Sequence, residues 1–137
     1  MNLSGHIADG VHRLDVRVYF EDTDFSGIVY HANYLKYCER GRSDMLRLAG
    51  VRHAELTKDG LHFVVRHIEC DFKAPARIDD VLRVETRLKR ASGAKLLMAQ
   101  AVLLDGRVLF EADVTVAIVN RSGRPQRIPA EMTRAIS

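Results

Sequence analysis

Residues 14–50 read LDVRVYFEDTDFSGIVYHANYLKYCERGRSDMLRLAG, and the period of this stretch changes twice. Leu14 to Phe20 alternates apolar and polar through Val18, the pattern of a strand with one face buried. Glu21-Asp22-Thr23-Asp24-Phe25-Ser26-Gly27 is polar and ends on glycine, which predicts a loop. From His31 to Gly50 the spacing is helical. At 100° per residue, His31, Tyr34, Leu35, Cys38, Gly41, Arg42, Met45, Leu48 and Ala49 fall on one broad face, with Lys36, Arg40, Ser43 and Arg47 opposite. Gly50 is a C-terminal stop. Gly41 in the middle costs ~1 kcal/mol against alanine, so something is expected to pack close to the backbone there.

Downstream the period becomes two. Val64, Ile68, Cys70 and Phe72 share a face in this reading, as do Leu82, Val84, Thr86 and Leu88. Lys95 to Leu104 is nearly all apolar, as expected of a central strand covered on both sides. Val108, Phe110, Ala112, Val114, Val116 and Ile118 alternate with mostly polar residues. Turn signals separate these runs at residues 73–77, 91–93 and 105–106. Short connections imply antiparallel pairing. The prediction is an α+β domain in which one antiparallel sheet of about five strands covers one long helix. Residues 1–137 form a single domain in this reading, with a core over about 14–130 and a loose tail over 1–12.

The chain has 137 residues, 47% hydrophobic and 28% charged, the profile of a globular protein. Its net charge of +3 is too small for a binder that works by neutralising nucleic-acid phosphates. The charge is uneven: residues 73–95 carry +4 and 121–137 carry +3, while 1–72 and 96–120 carry −2 each. No apolar run is long enough for a membrane helix and the N-terminus lacks a signal-peptide core, so the expected location is cytoplasmic. Cys38 and Cys70 have no CxxC or CxxH context, and both are expected to be buried, inert thiols. No dinucleotide fingerprint, P-loop or Gly-x-Ser-x-Gly elbow is present.

Three carboxylates, Glu21, Asp22 and Asp24, stand just before a glycine and a helix start. Mutual repulsion raises a carboxylate pKa and the positive helix end lowers it. Asp24 can serve as general base or nucleophile beside a site that stabilises an oxyanion, or the cluster can simply cap the turn and helix. A metal at the Asp-x-Asp pair is the weakest reading, because no further ligand stands at suitable spacing. His31 can donate to a carbonyl through its ring or its backbone N–H, or make a structural bond. Tyr30, Tyr34 and Tyr37 can line a pocket or belong to the core. Arg42 on the apolar face needs a partner, either Glu39 or a sheet carboxylate, in an ion pair at the helix edge. His6 and His12 fall in the tail, and His53, His62 and His67 lack zinc spacing.

The run YFEDTDFSGIVYHANYLKYCERGRSDMLR (19–47), together with FVVRHIECDFKAPARIDDVLRVETRL (63–88) and RPQRIP (124–129), resembles the 4-hydroxybenzoyl-CoA thioesterase family. The likeness is greatest to its branch of acyl-CoA thioesterases associated with the Tol-Pal envelope system. The resemblance implies a hotdog fold, dimers joined sheet edge to sheet edge and often paired into tetramers, and active sites at the dimer interface. It implies acyl-CoA hydrolysis without a cofactor or metal, on CoA or acyl-carrier-protein thioesters. Asp24 matches the family's catalytic carboxylate, and His31 the residue whose N–H polarises the thioester carbonyl. Gly27, Tyr30 and Tyr34 fall at substrate-binding positions, and Arg90, Ser92 and Lys95 at those that dock the CoA phosphates. No His-x-x-x-Gly-x-x-Pro segment of a hotdog hydratase is present. The alternative is a module that binds acyl-CoA or acyl-carrier protein in envelope lipid metabolism with little catalysis.

Overall fold

A computed structural model describes residues 3–51 and 53–137, and for residues 53–55 the backbone alone, so the His53 side chain lies outside the described residues. Seven strands, β1 (His6–Ala8), β2 (Val11–Arg17), β3 (His62–Phe72), β4 (Val81–Ser92), β5 (Lys95–Leu104), β6 (Arg107–Val119) and β7 (Pro125–Gln126), form one antiparallel sheet. Its order is β1-β2-β4-β5-β6-β3, with β7 added on β6. The helices are α1 (Ala32–Leu48), α2 (His53–Lys58) and α3 (Ala130–Ile136). This is the α+β hotdog arrangement. The five predicted strands are β2 to β6, and the two extra ones are too short to carry a periodic signal.

The long helix lies across β2, β4 and β5. Its face Tyr34, Cys38, Gly41 and Met45 is buried, as are Leu82, Val84, Val102, Phe110 and Val114 of the sheet. A side chain at Gly41 would place its Cβ 2.9 Å from both Thr86 Oγ1 and Val84 Cγ1. The glycine therefore allows the helix to sit directly on β4, which is the close approach its mid-helix position predicts. Toward the C-terminal end of α1 a second cluster closes the core, with Met45, Leu46, Leu96, Met98 and Ile118 covered by Ile128, Met132 and Ile136.

Four expectations are corrected. Residues 6–8 pair with 11–13 as a hairpin, and His12 is fully buried, so the segment 1–12 is not a loose tail where it is described. The hairpin is held because His12 Nε2 lies 2.6 Å from Asp44 Oδ2 on α1, and the Gly5 N–H donates to the same oxygen at 2.8 Å. In β3 a bulge between Val65 and His67 shifts the register, so Phe63 and Val65, not Val64, share the inner face with Ile68, Cys70 and Phe72. Cys70 is exposed, because α1 does not extend over β3. On β5 the inner residues are buried, while outer Leu97, Ala99 and Ala101 are only half-buried, so cover exists on one face rather than two. The edge strand β3 has 11 residues and pairs only with β6 among the described residues.

Candidate active site

The three-carboxylate segment follows β2 as a single 3-10 turn, Phe20–Asp22, and a tight loop. Asp22 is spent on structure: its Oδ2 accepts from the Tyr19 N–H at 2.9 Å, and its backbone carbonyl accepts from Tyr30 N–H and the Asn33 amide. Asp24 is differently placed. Its backbone N–H donates to Ile28 O and its carbonyl accepts from Gly27 N–H, closing a turn in which Gly27 takes φ +81°. That left-handed conformation is why glycine stands there.

The Asp24 carboxylate is exposed, and its Oδ1 accepts from both the hydroxyl and the backbone N–H of Ser26. These bonds, the hydroxyl first, hold the carboxyl below its usual range, so it is ionised and acceptor-only at neutral pH. Smaller contributions in the same direction come from the backbone N–H groups of Ile28 and of Asp24 itself. Ser26 is the functional neighbour that the sequence reading missed, although Asp-x-Ser is the spacing of an Asx-type turn.

Isolated bridges fix this loop on itself and against the connection between β3 and β4. Thr23 bridges Val29, Ile28 bridges Arg77, and Val29 N–H donates to Ala76 O. The chain then enters α1 at His31, an exposed residue whose backbone is already helical. No backbone acceptor among the described residues takes the His31 N–H, and no acidic residue occupies the first turn, so the positive end of α1 is open.

The aromatic residues divide by environment. Tyr30 is half-exposed and its ring lies 4.5 Å from that of His31. Tyr34 is a core residue, stacked at 5.2 Å on Phe110, and its hydroxyl accepts from Ala76 N–H. It supports the site from beneath. Phe72, half-exposed at the end of β3, lies 6.0 Å from His31 and 5.9 Å from Tyr34, and thereby forms the far wall.

Beside α1 the inner face of β3 is left uncovered as an open trough: Leu35 of the helix and Phe72, Cys70 and Val65 of the strand are all exposed. Cys38, buried on its helix side, has its thiol pushed up to about 12 by desolvation, so it stays neutral. Arg42 makes no ion pair among the described residues. Its Nη1 donates to Gln100 Oε1 at 2.9 Å, which corrects the expected pairing with Glu39 or a sheet carboxylate. No group of three or more His, Cys, Asp or Glu among the described residues is placed to hold a metal.

Arg90, Ser92 and Lys95 are not brought to this site. They occupy the β4–β5 hairpin, whereas Asp24 lies beside the opposite end of β4, roughly 36 Å away along the strand at ~3.3 Å per residue. At that distal end Arg127 and Arg134 line a groove with Ser92 and Gly93. The C-terminal end of the first basic segment therefore meets the second on one surface, away from the acidic loop, while Arg77 of the first bridges Ile28 beside it.

Comparison with known proteins gives a consistent result. The profile of the thioesterase-like superfamily matches residues 18–136. The acyl-CoA thioester hydrolase YbgC of Escherichia coli is 38% identical over 119 residues, covering 85% of this chain and 89% of the relative. The acyl-CoA thioesterase YbgC of Haemophilus influenzae is 39% identical over 122 residues, covering 88% and 90%. A probable thioesterase from Bartonella henselae has a similar crystal structure, with a TM-score of 0.83 and 45% identity, covering 87% of this chain and 99% of that one.

Proposed function

The chain belongs to the thioesterase-like superfamily, and from that premise we propose that it is an acyl-CoA thioesterase in which Asp24 drives hydrolysis at the open N-terminus of α1. The observation that carries this is the Asp24 carboxylate itself. It is ionised, exposed to solvent, fixed through Oδ1 by Ser26, and set in the loop that leads into the helix N-terminus.

The thioester carbonyl oxygen sits at the His31 N–H, where the helix end stabilises the negative charge that develops on it. Asp24 either adds to the carbonyl carbon, giving an anhydride that water opens, or takes a proton from water that adds instead. In both routes the C–S bond breaks and CoA leaves as thiolate, so the protein must supply only one base and one oxyanion contact. Gly27 and Tyr30 border the reacting carbon, and the trough beyond Phe72 takes the acyl group.

A second copy completes the site. The exposed edge of β3 supports pairing with another β3 in antiparallel sense, which buries Val65 and Phe72 and turns the distal end of one copy toward the Asp24 end of the other. Arg90, Ser92 and Lys95 then approach the active site from the second copy as the anchor for CoA phosphates. The free thiols of Cys38 and Cys70 and the family resemblance support a cytoplasmic acyl-CoA pool and the Tol-Pal-associated branch.

The test is thiol release from straight-chain, branched and aromatic acyl-CoAs, with sedimentation to size the active species. Hydrolysis by a species of two or four chains is expected. An inert protein that binds acyl-CoA tightly would make it a carrier module instead.

A further inference from the structure

One register row deeper than the catalytic end, the trough holds a buried cation. Phe72, Phe110, Val102 and Val84 form one row across the inner face of the sheet, and Cys70, Ala112, Gln100 and Thr86 form the next. Rows on the same face are separated by ~7 Å. Arg42 reaches this second row: it is 9% exposed, and its one hydrogen bond among the described residues goes to Gln100. Gln100 in turn is held by donating to Cys38 O at 2.9 Å and Thr86 Oγ1 at 2.8 Å, so its carbonyl oxygen is fixed toward the guanidinium. A guanidinium has five N–H donors, and among the described residues no carboxylate lies within ion-pair distance of this one. Burying a cation with a neutral partner alone is unfavourable.

The two flanks of α1 differ. The Asp44 flank packs on β2, where His12 meets it. Arg42 lies on the other flank, roughly 80° round the helix from Tyr34 and beside Leu35, toward the open trough along β3. The facing groups there are the thiols of Cys38 and Cys70, and Glu39 one turn away is exposed to solvent.

Resting on the reading of the site as an acyl-CoA thioesterase, we infer that Arg42 is a specificity-determining residue that receives the far end of the acyl group and selects short chains ending in a carboxylate. A chain whose thioester carbon lies between Asp24 and His31 passes Phe72 and needs only a few methylenes to cross one row. Its terminal carboxylate then supplies the anion that no described residue gives Arg42, as a charge-assisted pair.

The experiment compares kcat/KM for glutaryl-CoA and pentanoyl-CoA, equal in carbon number and different in the terminal group. The wild type is expected to favour glutaryl-CoA by about tenfold or more, the effect of one hydrogen bond to a charged group. Arg42→Met is expected to abolish that ratio, while Arg42→Lys, which keeps the charge, retains part of it. Wild-type indifference between the two chains overturns the inference and leaves the thioesterase reading intact, and it does so even if Arg42→Met fails to fold. An equal loss on both substrates in Arg42→Met also overturns it, because the residue is then merely structural. Thiol release from neither substrate overturns the thioesterase reading, and the inference with it.

Discussion

Each end of α1 has an aspartate near a histidine, and the two ends use the same chemistry for opposite purposes. At the N-terminal end Asp24 and His31 are exposed, and no side chain among the described residues caps the helix. At the C-terminal end Asp44 and His12 are 5% and 0% exposed, 2.6 Å apart, and further tied by Gly5. Residue type therefore does not distinguish the carboxylate proposed for catalysis from a structural one. Solvent access and unspent hydrogen-bonding capacity do.

The comparison breaks most visibly in stability. Removing Asp44 as Asp44→Ala leaves His12 buried without its partner and frees the hairpin, so a loss of about 3–5 kcal/mol is expected. Asp24→Ala should stay within ~0.5 kcal/mol of wild type, as an exposed side chain does. Denaturant midpoints of the two variants check this, and equal losses would erase the distinction. Gly41→Ala comes next: helix propensity favours alanine, yet contact with Thr86 and Val84 should make the change destabilising by about 1–3 kcal/mol.

Acid should act more gently. Burial pushes the Asp44 carboxyl up, but the His12 hydrogen bond, the Gly5 amide and the His12 charge outweigh it, so its pKa in the folded state is lowered. A lowered folded pKa means that the stabilisation is fully present above the unfolded carboxylate pKa and is lost as pH falls through the folded one. Acid titration of stability should show a limb below the ordinary carboxylate range, and Asp44→Asn should flatten it. The smallest effect is expected from Ser26→Ala. Without the hydroxyl, Asp24 titrates at higher pH, so the acid limb of the pH–rate profile moves upward while stability holds. An unmoved limb would mean that Ser26 does not tune the base.

Most of the fold was legible because its periods are clean. Residues 14–50 announce strand, loop and helix, and Gly41 announces the close approach to β4. The bulge in β3 was not legible, since one extra residue changes which face every later side chain takes without altering composition. The hairpin over residues 6–13 was missed because its stability comes from Asp44, 32 positions beyond His12. Near the proposed site, the tight turn at Gly27 and the helix start at His31 could be read from spacing. The role of Ser26, the demotion of Tyr34 to the core and the ionless state of Arg42 all depend on contacts across the fold. The remoteness of Arg90, Ser92 and Lys95 from Asp24 follows from the length of β4, which only the register made plain.

The central claim is that catalysis resides at the open end of α1, and one measurement bears on it most directly. Thiol release from an acyl-CoA that the wild type hydrolyses is compared in Asp24→Asn and Asp44→Asn, each normalised to folded protein. Asp24→Asn should retain the wild-type melting temperature and lose about 100-fold or more in rate, as expected when a general base or nucleophile is removed, while folded Asp44→Asn turns over normally. Near-wild-type turnover by Asp24→Asn would contradict the account.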